Sequence, residues 1–161
     1  MLAAMHLTLV RHGDAGASTN SLGDSGRCLS TLGREQARAT GRALAERGVT
    51  FTHVWTSPLV RAVQTTELIL AQLDYEGRAE ARDHLFPDSR AGELIEALRG
   101  LDDAARVLAV GHMPYMAATA GELLGIHVGG FGTAHAYNLE LRSLAPLRAE
   151  LSWRWLGRFV D

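Results

Sequence analysis

The stretch Leu7-Thr8-Leu9-Val10-Arg11-His12-Gly13 places an arginine and a histidine directly after a short apolar run. The apolar residues 7–10 predict a buried β-strand, and Arg11-His12-Gly13 predicts the loop into which that strand runs. Residues 14–25 are rich in Gly, Ser, Ala and Asn, which is typical of an irregular loop. Any chemistry carried by Arg11 and His12 is therefore expected at the end of a strand.

Predicted helices and strands alternate through the rest of the chain. Helices are predicted over 30–48, 58–73, 91–99 and 114–124, and strands over 53–56, 77–82, 106–110, 134–141 and 149–155. Ser30 or Thr31 suits the N-cap of the first helix, Gly48 suits its end, and Pro58 suits the first turn of the second helix. The alternation predicts one α/β domain over 1–161. It is expected to be a three-layer α/β/α sandwich with a mostly parallel sheet of about six strands.

The composition is that of an ordinary soluble protein. The 161 residues carry a net charge of −2, so neither nucleic acid nor a membrane surface is predicted as a partner. All 16 basic residues are arginine, so any side-chain cation that meets a phosphate here is a guanidinium or a histidine. The chain has a single cysteine, Cys28, so it cannot form an intrachain disulfide. Cys28 is expected to be buried or half-buried. Residues 1–10 show no signal peptide or membrane span, so a cytoplasmic location is expected.

Three segments far apart in the sequence each follow the end of a predicted strand. They are Arg11-His12, Ser57 with Arg61, and Gly111-His112. Ligands of open α/β sheets bind beyond the carboxyl ends of the strands, so the three segments are expected to meet at one rim. Two histidines and two arginines at one rim make an anion site. A phosphoryl group suits such a site, because its transfer depends mainly on positioning and charge stabilisation, and a neutral imidazole is a competent nucleophile.

The same segments resemble a known family. Leu-Val-Arg11-His12-Gly13, Ser57-Pro-Leu-Val-Arg61-Ala-x-Gln-Thr65 and Val-Gly111-His112, in this order, resemble the histidine phosphatase superfamily, which is also called phosphoglycerate mutase-like. The short chain and the motif Arg27-x-Leu-Ser/Thr-x-x-Gly33 are similar, more narrowly, to the small phosphohistidine phosphatases of the SixA type. The resemblance runs from the first predicted strand at least to the helix after His112, and the two late strands fit it.

The resemblance implies roles for the matching residues. His12 is implied to be the nucleophile that becomes phosphorylated, and His112 the second histidine in contact with the phosphate. Arg11 and Arg61 are implied to clamp phosphate oxygens, and Arg27 matches an additional phosphate-binding arginine of the small subgroup. The positions implied to shape the substrate pocket are Gly13, Ser57, Gly111 and Met113. The resemblance implies no metal and no cofactor.

The proton donor for the leaving group has no clear match. In much of the family a carboxylate in the loop after the third strand donates this proton. The corresponding stretch here is 83–88, in which Asp88 and Asp83 are candidates, although each also fits an ordinary loop carboxylate. The small subgroup often lacks an obvious acid. That fits a phosphoramidate substrate, whose leaving nitrogen accepts a proton more easily than an ester oxygen.

These observations predict a metal-independent phosphatase that passes through a phosphohistidine on His12. The expected substrate is a phosphohistidine domain of another protein. Two alternatives stay open: a phosphomonoesterase for a small metabolite such as a sugar phosphate or a nucleotide, and a phosphate-binding module without turnover. The chain is expected to be a monomer or a homodimer.

Overall fold

The computed structural model describes residues 3–18 and 21–161, in which strands and helices alternate. The strands are β1 (Met5–Arg11), β2 (His53–Thr56), β3 (Ala79–Ala81), β4 (Arg106–Gly111), β5 (Ala136–Leu144), β6 (Leu147–Trp155) and β7 (Phe159–Val160). The helices are α1 (Thr31–Glu46), α2 (Val60–Leu70), α3 (Ala91–Arg99) and α4 (Tyr115–Leu124). Two short 3-10 turns, Gly23–Gly26 and Asp83–Leu85, lie in the loops after β1 and β3. The predicted loop 14–25 includes residues 19 and 20, and the predicted N-terminal segment includes residues 1 and 2; all four lie outside the described residues.

The strands form a mixed sheet in the order β3-β2-β4-β1-β5-β6-β7, counted over the described residues. The pairs β3–β2, β2–β4 and β4–β1 are parallel, whereas β1–β5, β5–β6 and β6–β7 are antiparallel. The predicted α/β fold is confirmed. The prediction of a mostly parallel sheet of about six strands is less exact, because the sheet is mixed and has seven strands in the described residues. The difference arises because two residues join β5 to β6, and so short a connection permits only an antiparallel hairpin.

Helices cover both faces of the sheet, and each face has its own apolar core. On one face, α3 and α4 pack on side chains such as Leu7 and Leu9 of β1. On the other face, α1 and α2 pack on side chains such as Val10 of β1. Because the central strands are buried on both sides, their sequences are almost continuously apolar, which is the signal from which they were predicted.

The helix ends follow local signals in the sequence. The Ser30 hydroxyl accepts a hydrogen bond from the Gly33 N–H and caps α1, and Gly48, with φ of 73°, follows the end of that helix. The prediction for Pro58 was wrong, because α2 starts at Val60 and Pro58 lies before its N-cap, Leu59.

The Cys28 side chain is exposed, so its predicted burial was wrong. It lies in the loop between the Gly23–Gly26 turn and α1, where the buried neighbour is Leu29. Within residues 3–18 and 21–161, no helix has the length and apolar character needed to cross a bilayer.

Candidate active site

The ends of β1, β2 and β4 lie side by side, which brings the three predicted segments to one rim of the sheet. Arg11 at the end of β1 pairs with Gly111 at the end of β4, and the His12 N–H donates to the Gly111 carbonyl (3.0 Å). β2 lies on the other side of β4, and the Ser57 N–H donates to the Val110 carbonyl (2.9 Å). The backbone ladder itself therefore sets the positions of His12, Ser57 and the start of the segment after β4.

His12 and His112 lie next to each other at this rim. Their ring centroids are 5.1 Å apart, with an angle of 58° between the ring planes. Only 8% of His12 and 2% of His112 is exposed. At this separation both rings can contact one bound oxyanion.

The surroundings of His12 decide which ring nitrogen is free to react. Its Nδ1 lies 2.7 Å from the carbonyl oxygen of Gly13. A carbonyl oxygen only accepts hydrogen bonds, so Nδ1 carries the proton and Nε2 keeps its lone pair. Burial is the main reason that the pKa of His12 is lowered to about 4; the Gly13 hydrogen bond opposes this shift, and the charges of nearby arginines add to it. At neutral pH His12 is therefore a neutral imidazole whose Nε2 carries a lone pair.

The backbone that orients His12 is held by two helices. The Gly13 N–H donates to Thr65 Oγ1 of α2 (3.0 Å), and the Thr65 hydroxyl donates to the Arg61 carbonyl (2.8 Å). The next N–H along the chain, that of Asp14, donates to Gln36 Oε1 of α1 (2.9 Å). The Gly13 peptide groups thus position His12, and a direct contact between Gly13 and substrate stays a prediction.

Thr65→Val is expected to lower kcat by about tenfold to a hundredfold, because it removes the acceptor of the Gly13 N–H and allows the carbonyl that orients His12 to shift. The matched control is Thr66→Val, since the buried Thr66 hydroxyl donates to the Ala62 carbonyl within its own helix. Steady-state kinetics of both variants, with thermal unfolding as a check on folding, measure the difference. Equal losses of kcat in the two variants would show that Thr65 matters only for helix packing.

His112 is held by Ser57. Its Nε2 and the Ser57 hydroxyl form a hydrogen bond of 2.8 Å, and Nδ1 is buried with no hydrogen-bond partner among the described residues. Burial is the main reason that the pKa of His112 is lowered to about 3, and the nearby His12 and Arg61 lower it as well. A phosphate dianion at this rim favours the protonated ring, which then donates to a phosphate oxygen.

Two arginines supply guanidinium groups at the same rim. Arg61, which is 4% exposed, donates from Nη1 to the Asp24 carbonyl (3.0 Å) and from Nη2 to the Asp24 carboxylate (3.1 Å). Arg11 donates from Nη1 to the carbonyl of Phe131, in the loop before β5 (3.1 Å). The Nε of each arginine is buried and has no hydrogen-bond partner in the described part of the chain. Each guanidinium therefore has one buried N–H donor that the described groups leave unpaired.

The third predicted arginine, Arg27, lies in the loop after β1. Its Nε donates to the Gly16 carbonyl (2.9 Å), Nη2 to the Ala15 carbonyl (3.2 Å) and Nη1 to the Asp24 carboxylate (3.1 Å). Its charge is one of those that lower the pKa of His12, so Arg27 lies within electrostatic reach of that ring. The site therefore combines two neutral imidazoles with three guanidinium groups.

Known proteins are similar to this chain in sequence and in fold. The model of the histidine phosphatase superfamily (branch 1) matches residues 7–85, which include His12, Arg27 and Arg61. The structure of the protein histidine phosphatase SixA complexed with tungstate is similar with a TM-score of 0.84 and 28% sequence identity, and covers 93% of this chain and 96% of that one. This chain belongs to the histidine phosphatase superfamily.

Two sequence relatives add to this comparison. An uncharacterized protein of Picosynechococcus sp. is 30% identical over 148 residues, which are 90% of this chain and 86% of the relative. The mitochondrial serine/threonine-protein phosphatase Pgam5 of Drosophila melanogaster is 42% identical over 76 residues, which are 45% of this chain. That match covers only 25% of the Pgam5 protein.

The motif that contains Arg27 also includes Gly33, which has a packing role. The first turn of α1 lies against the loop after His12, and a Cβ at Gly33 would lie 1.9 Å from the Asp14 carbonyl oxygen. The Asp14 carboxylate accepts a hydrogen bond from the Ser30 hydroxyl (2.5 Å). Asp14 therefore links the loop after His12 to the start of α1, and glycine at position 33 permits the close approach.

Asp83 and Asp88, the two predicted candidates for the proton donor, form no hydrogen bond with His12 or His112 among the described residues. Asp83 begins the 3-10 turn after β3, Asp88 follows that turn, and both side chains are exposed. They line a surface cavity of about 620 Å³ whose other lining residues are Ala81, Arg82, His84, Ser89 and Glu93. Among the described residues, no hydrogen bond or ion pair joins either carboxylate to His12 or His112. A role of either residue as proton donor stays a prediction.

The two other positions that the sequence predicts for the substrate pocket are Gly111 and Met113. A Cβ at Gly111 would lie 2.8 Å from Met116 Cε, so glycine here allows α4 to pack closely against the end of β4. Met113 lines a cavity of about 430 Å³ between α4 and the loop 126–130. A contact of Met113 with substrate stays a prediction.

Within residues 3–18 and 21–161, no group of three or more His, Cys, Asp or Glu side chains is placed to hold a metal ion. The polar groups at the rim are imidazoles and guanidiniums, which are suited to bind a phosphoryl group directly.

Sequence reasoning did not identify three groups that complete the site: Asp24, Thr65 and the Phe131 carbonyl. Thr65 stands within the quoted Ser57–Thr65 motif, and its position one turn after Arg61 was a usable signal. Gly129, Gly130 and Gly132 are typical of a turn, but nothing in that stretch marks a backbone carbonyl as the partner of Arg11. Asp24 lies in a loop whose composition indicates no preferred contact.

Proposed function

We propose that this chain is a metal-independent phosphatase that forms a covalent phosphohistidine at His12 Nε2. The observation that carries the proposal is the hydrogen bond from His12 Nδ1 to the Gly13 carbonyl, because it leaves Nε2 unprotonated at the rim where His112 and the arginines meet. Membership of the histidine phosphatase superfamily supports phosphatase activity. The similar SixA protein binds tungstate, a tetrahedral oxyanion, which supports an oxyanion site in this fold.

The reaction proceeds in two displacements at phosphorus. In the first, the Nε2 lone pair attacks, the N–P bond forms, and the bond from phosphorus to the substrate's leaving atom breaks with its electron pair on that atom. Arg11, Arg61 and Arg27 balance the charge on the three phosphoryl oxygens during this step. In the second, water attacks phosphorus, the N–P bond breaks, the electron pair returns to Nε2, and the proton lost by water passes to phosphate or solvent.

The substrate that fits this site best is a phosphohistidine on another protein. Among the described residues no carboxylate forms a hydrogen bond with His12 or His112, and a leaving imidazole needs less help from an acid than an alkoxide does. Asp24 lies close enough to raise the pKa of His112, but Arg27 and then Arg61 lower the pKa of Asp24, so it is ionised and donates no proton at neutral pH. The names of SixA and Pgam5 describe protein phosphatases, which supports a protein substrate. A cytoplasmic location and a monomeric or homodimeric state stay predictions.

A substrate panel tests this proposal. Turnover is expected to rank phosphohistidine protein above aryl phosphate, and aryl phosphate above alkyl esters of metabolites, with about a hundredfold between the first and the last. Asp83→Asn and Asp88→Asn are expected to leave the ranking unchanged. If alkyl esters react as fast as phosphohistidine and one of these variants loses that activity, the chain is a metabolite phosphomonoesterase. A single burst of phosphoenzyme without turnover on any substrate would instead indicate a binding module.

A further inference from the structure

Asp24 bonds to two of the three arginines at the rim. One carboxylate oxygen accepts from Arg27 Nη1 (3.1 Å), and the other accepts from Arg61 Nη2 (3.1 Å). The Asp24 carbonyl accepts a further hydrogen bond from Arg61 Nη1 (3.0 Å). A carboxylate that bridges two guanidinium groups uses the same donors that phosphate oxygens use.

The exposure of the two partners is unequal. The Arg61 side chain is 5% exposed, whereas the Asp24 side chain is 64% exposed. The arginine is therefore fixed in the molecule, while the carboxylate lies at the surface in the short Gly23–Gly26 turn. Removing the Asp24 carboxylate from Arg61 disturbs no buried apolar contact, so the carboxylate is the partner that gives way to another anion.

We propose that Asp24 is an internal competitor for the phosphate site, bound to Arg27 and Arg61 when no phosphoryl group is present and displaced when one enters. The inference rests on the proposed phosphatase function of the same site. A carboxylate and a phosphate dianion that bind the same guanidinium donors repel each other, so the two anions compete for these donors. The return of Asp24 therefore assists the departure of the product, inorganic phosphate.

The competition acts differently on substrate and product. A phosphoryl group carried by a protein gains additional binding from the contacts of its carrier, but free phosphate depends on the arginines and histidines alone. Displacement of Asp24 weakens the binding of both by the same factor, but the substrate keeps the contacts of its carrier, so the product is left with the lower affinity and dissociates more readily. Asp24 is thus a residue that limits product inhibition.

Calorimetric titration of the full chain with inorganic phosphate at neutral pH tests this inference. Asp24→Asn keeps the size of the side chain and removes its charge, and it is expected to bind phosphate about fivefold to tenfold more tightly than wild type. Asp103→Asn removes the same charge from an exposed position just before β4, at the opposite end of the sheet, and is expected to bind within about twofold of wild type. Inhibition of turnover by phosphate should strengthen by the same factor in Asp24→Asn.

The outcomes separate this inference from the proposed function. If Asp24→Asn binds phosphate no more tightly than wild type, or more weakly, while wild type hydrolyses its substrates, Asp24 holds the arginines in place and the competitor is excluded. If wild type neither binds phosphate nor turns over any substrate, the proposed function fails and this inference fails with it. Asp24→Ala tests whether tighter binding in Asp24→Asn comes from the new amide group. Tighter phosphate binding in both variants supports the role of Asp24 as a competitor of phosphate.

Discussion

His12→Ala is expected to reduce kcat on the order of 10⁴-fold or more for every substrate, because it removes the atom to which the phosphoryl group is transferred. The loss should be in kcat rather than in substrate binding, since Arg11, Arg27, Arg61 and His112 stay in place to hold the phosphoryl group. A second readout is covalent: radiolabelled phosphoryl donor should label wild type in an acid-labile, base-stable form and should leave the variant unlabelled.

The matched control for this prediction is His127→Ala. His127 is exposed in the loop after α4, so its replacement changes the histidine content without touching the rim. Its kcat is expected to stay within about twofold of wild type. If His12→Ala kept labelling and turnover while His112→Ala lost both, the nucleophile would be His112, and the tautomer argument for His12 would be wrong.

The helices and central strands were predictable because their signals are local. Residues 91–99 were predicted as a helix and form α3, and the apolar run 106–110 predicts β4 to within one residue. The start of α2 is an instructive exception. Pro58 has a local preference for the first turn of a helix, but the Ser57 N–H extends the backbone ladder to Val110, and its hydroxyl reaches His112. The site thus keeps residue 57 out of the helix and delays its start.

The parts that escaped prediction depend on contacts between groups that are far apart in the sequence. The carbonyl of Phe131 that receives Arg11 lies 120 residues away, and every residue type has such a carbonyl. The Asp24 carboxylate, in the short Gly23–Gly26 turn, accepts a hydrogen bond from Arg61, which lies 37 residues away in the sequence. Sequence patterns report which residues suit a strand or a phosphate. They do not report which neighbouring group holds an arginine before the phosphate arrives.

Arg61→Met is expected to lower kcat/KM about a thousandfold, because it removes a buried guanidinium that stabilises charge on the transferred phosphoryl group. Arg61→Lys should lose about a hundredfold, since it keeps the charge but lacks the planar fork that contacts two oxygens. Kinetics with phosphohistidine protein measure both, and Arg34→Met on the exposed side of α1 is the control, expected within about twofold of wild type. Loss of the ion pair with Asp24 should destabilise the fold only slightly, because that carboxylate is exposed. The fall in kcat/KM is therefore expected to exceed any fall in the fraction of folded protein. A loss below about tenfold in Arg61→Met would assign the clamp to Arg11 and Arg27 instead.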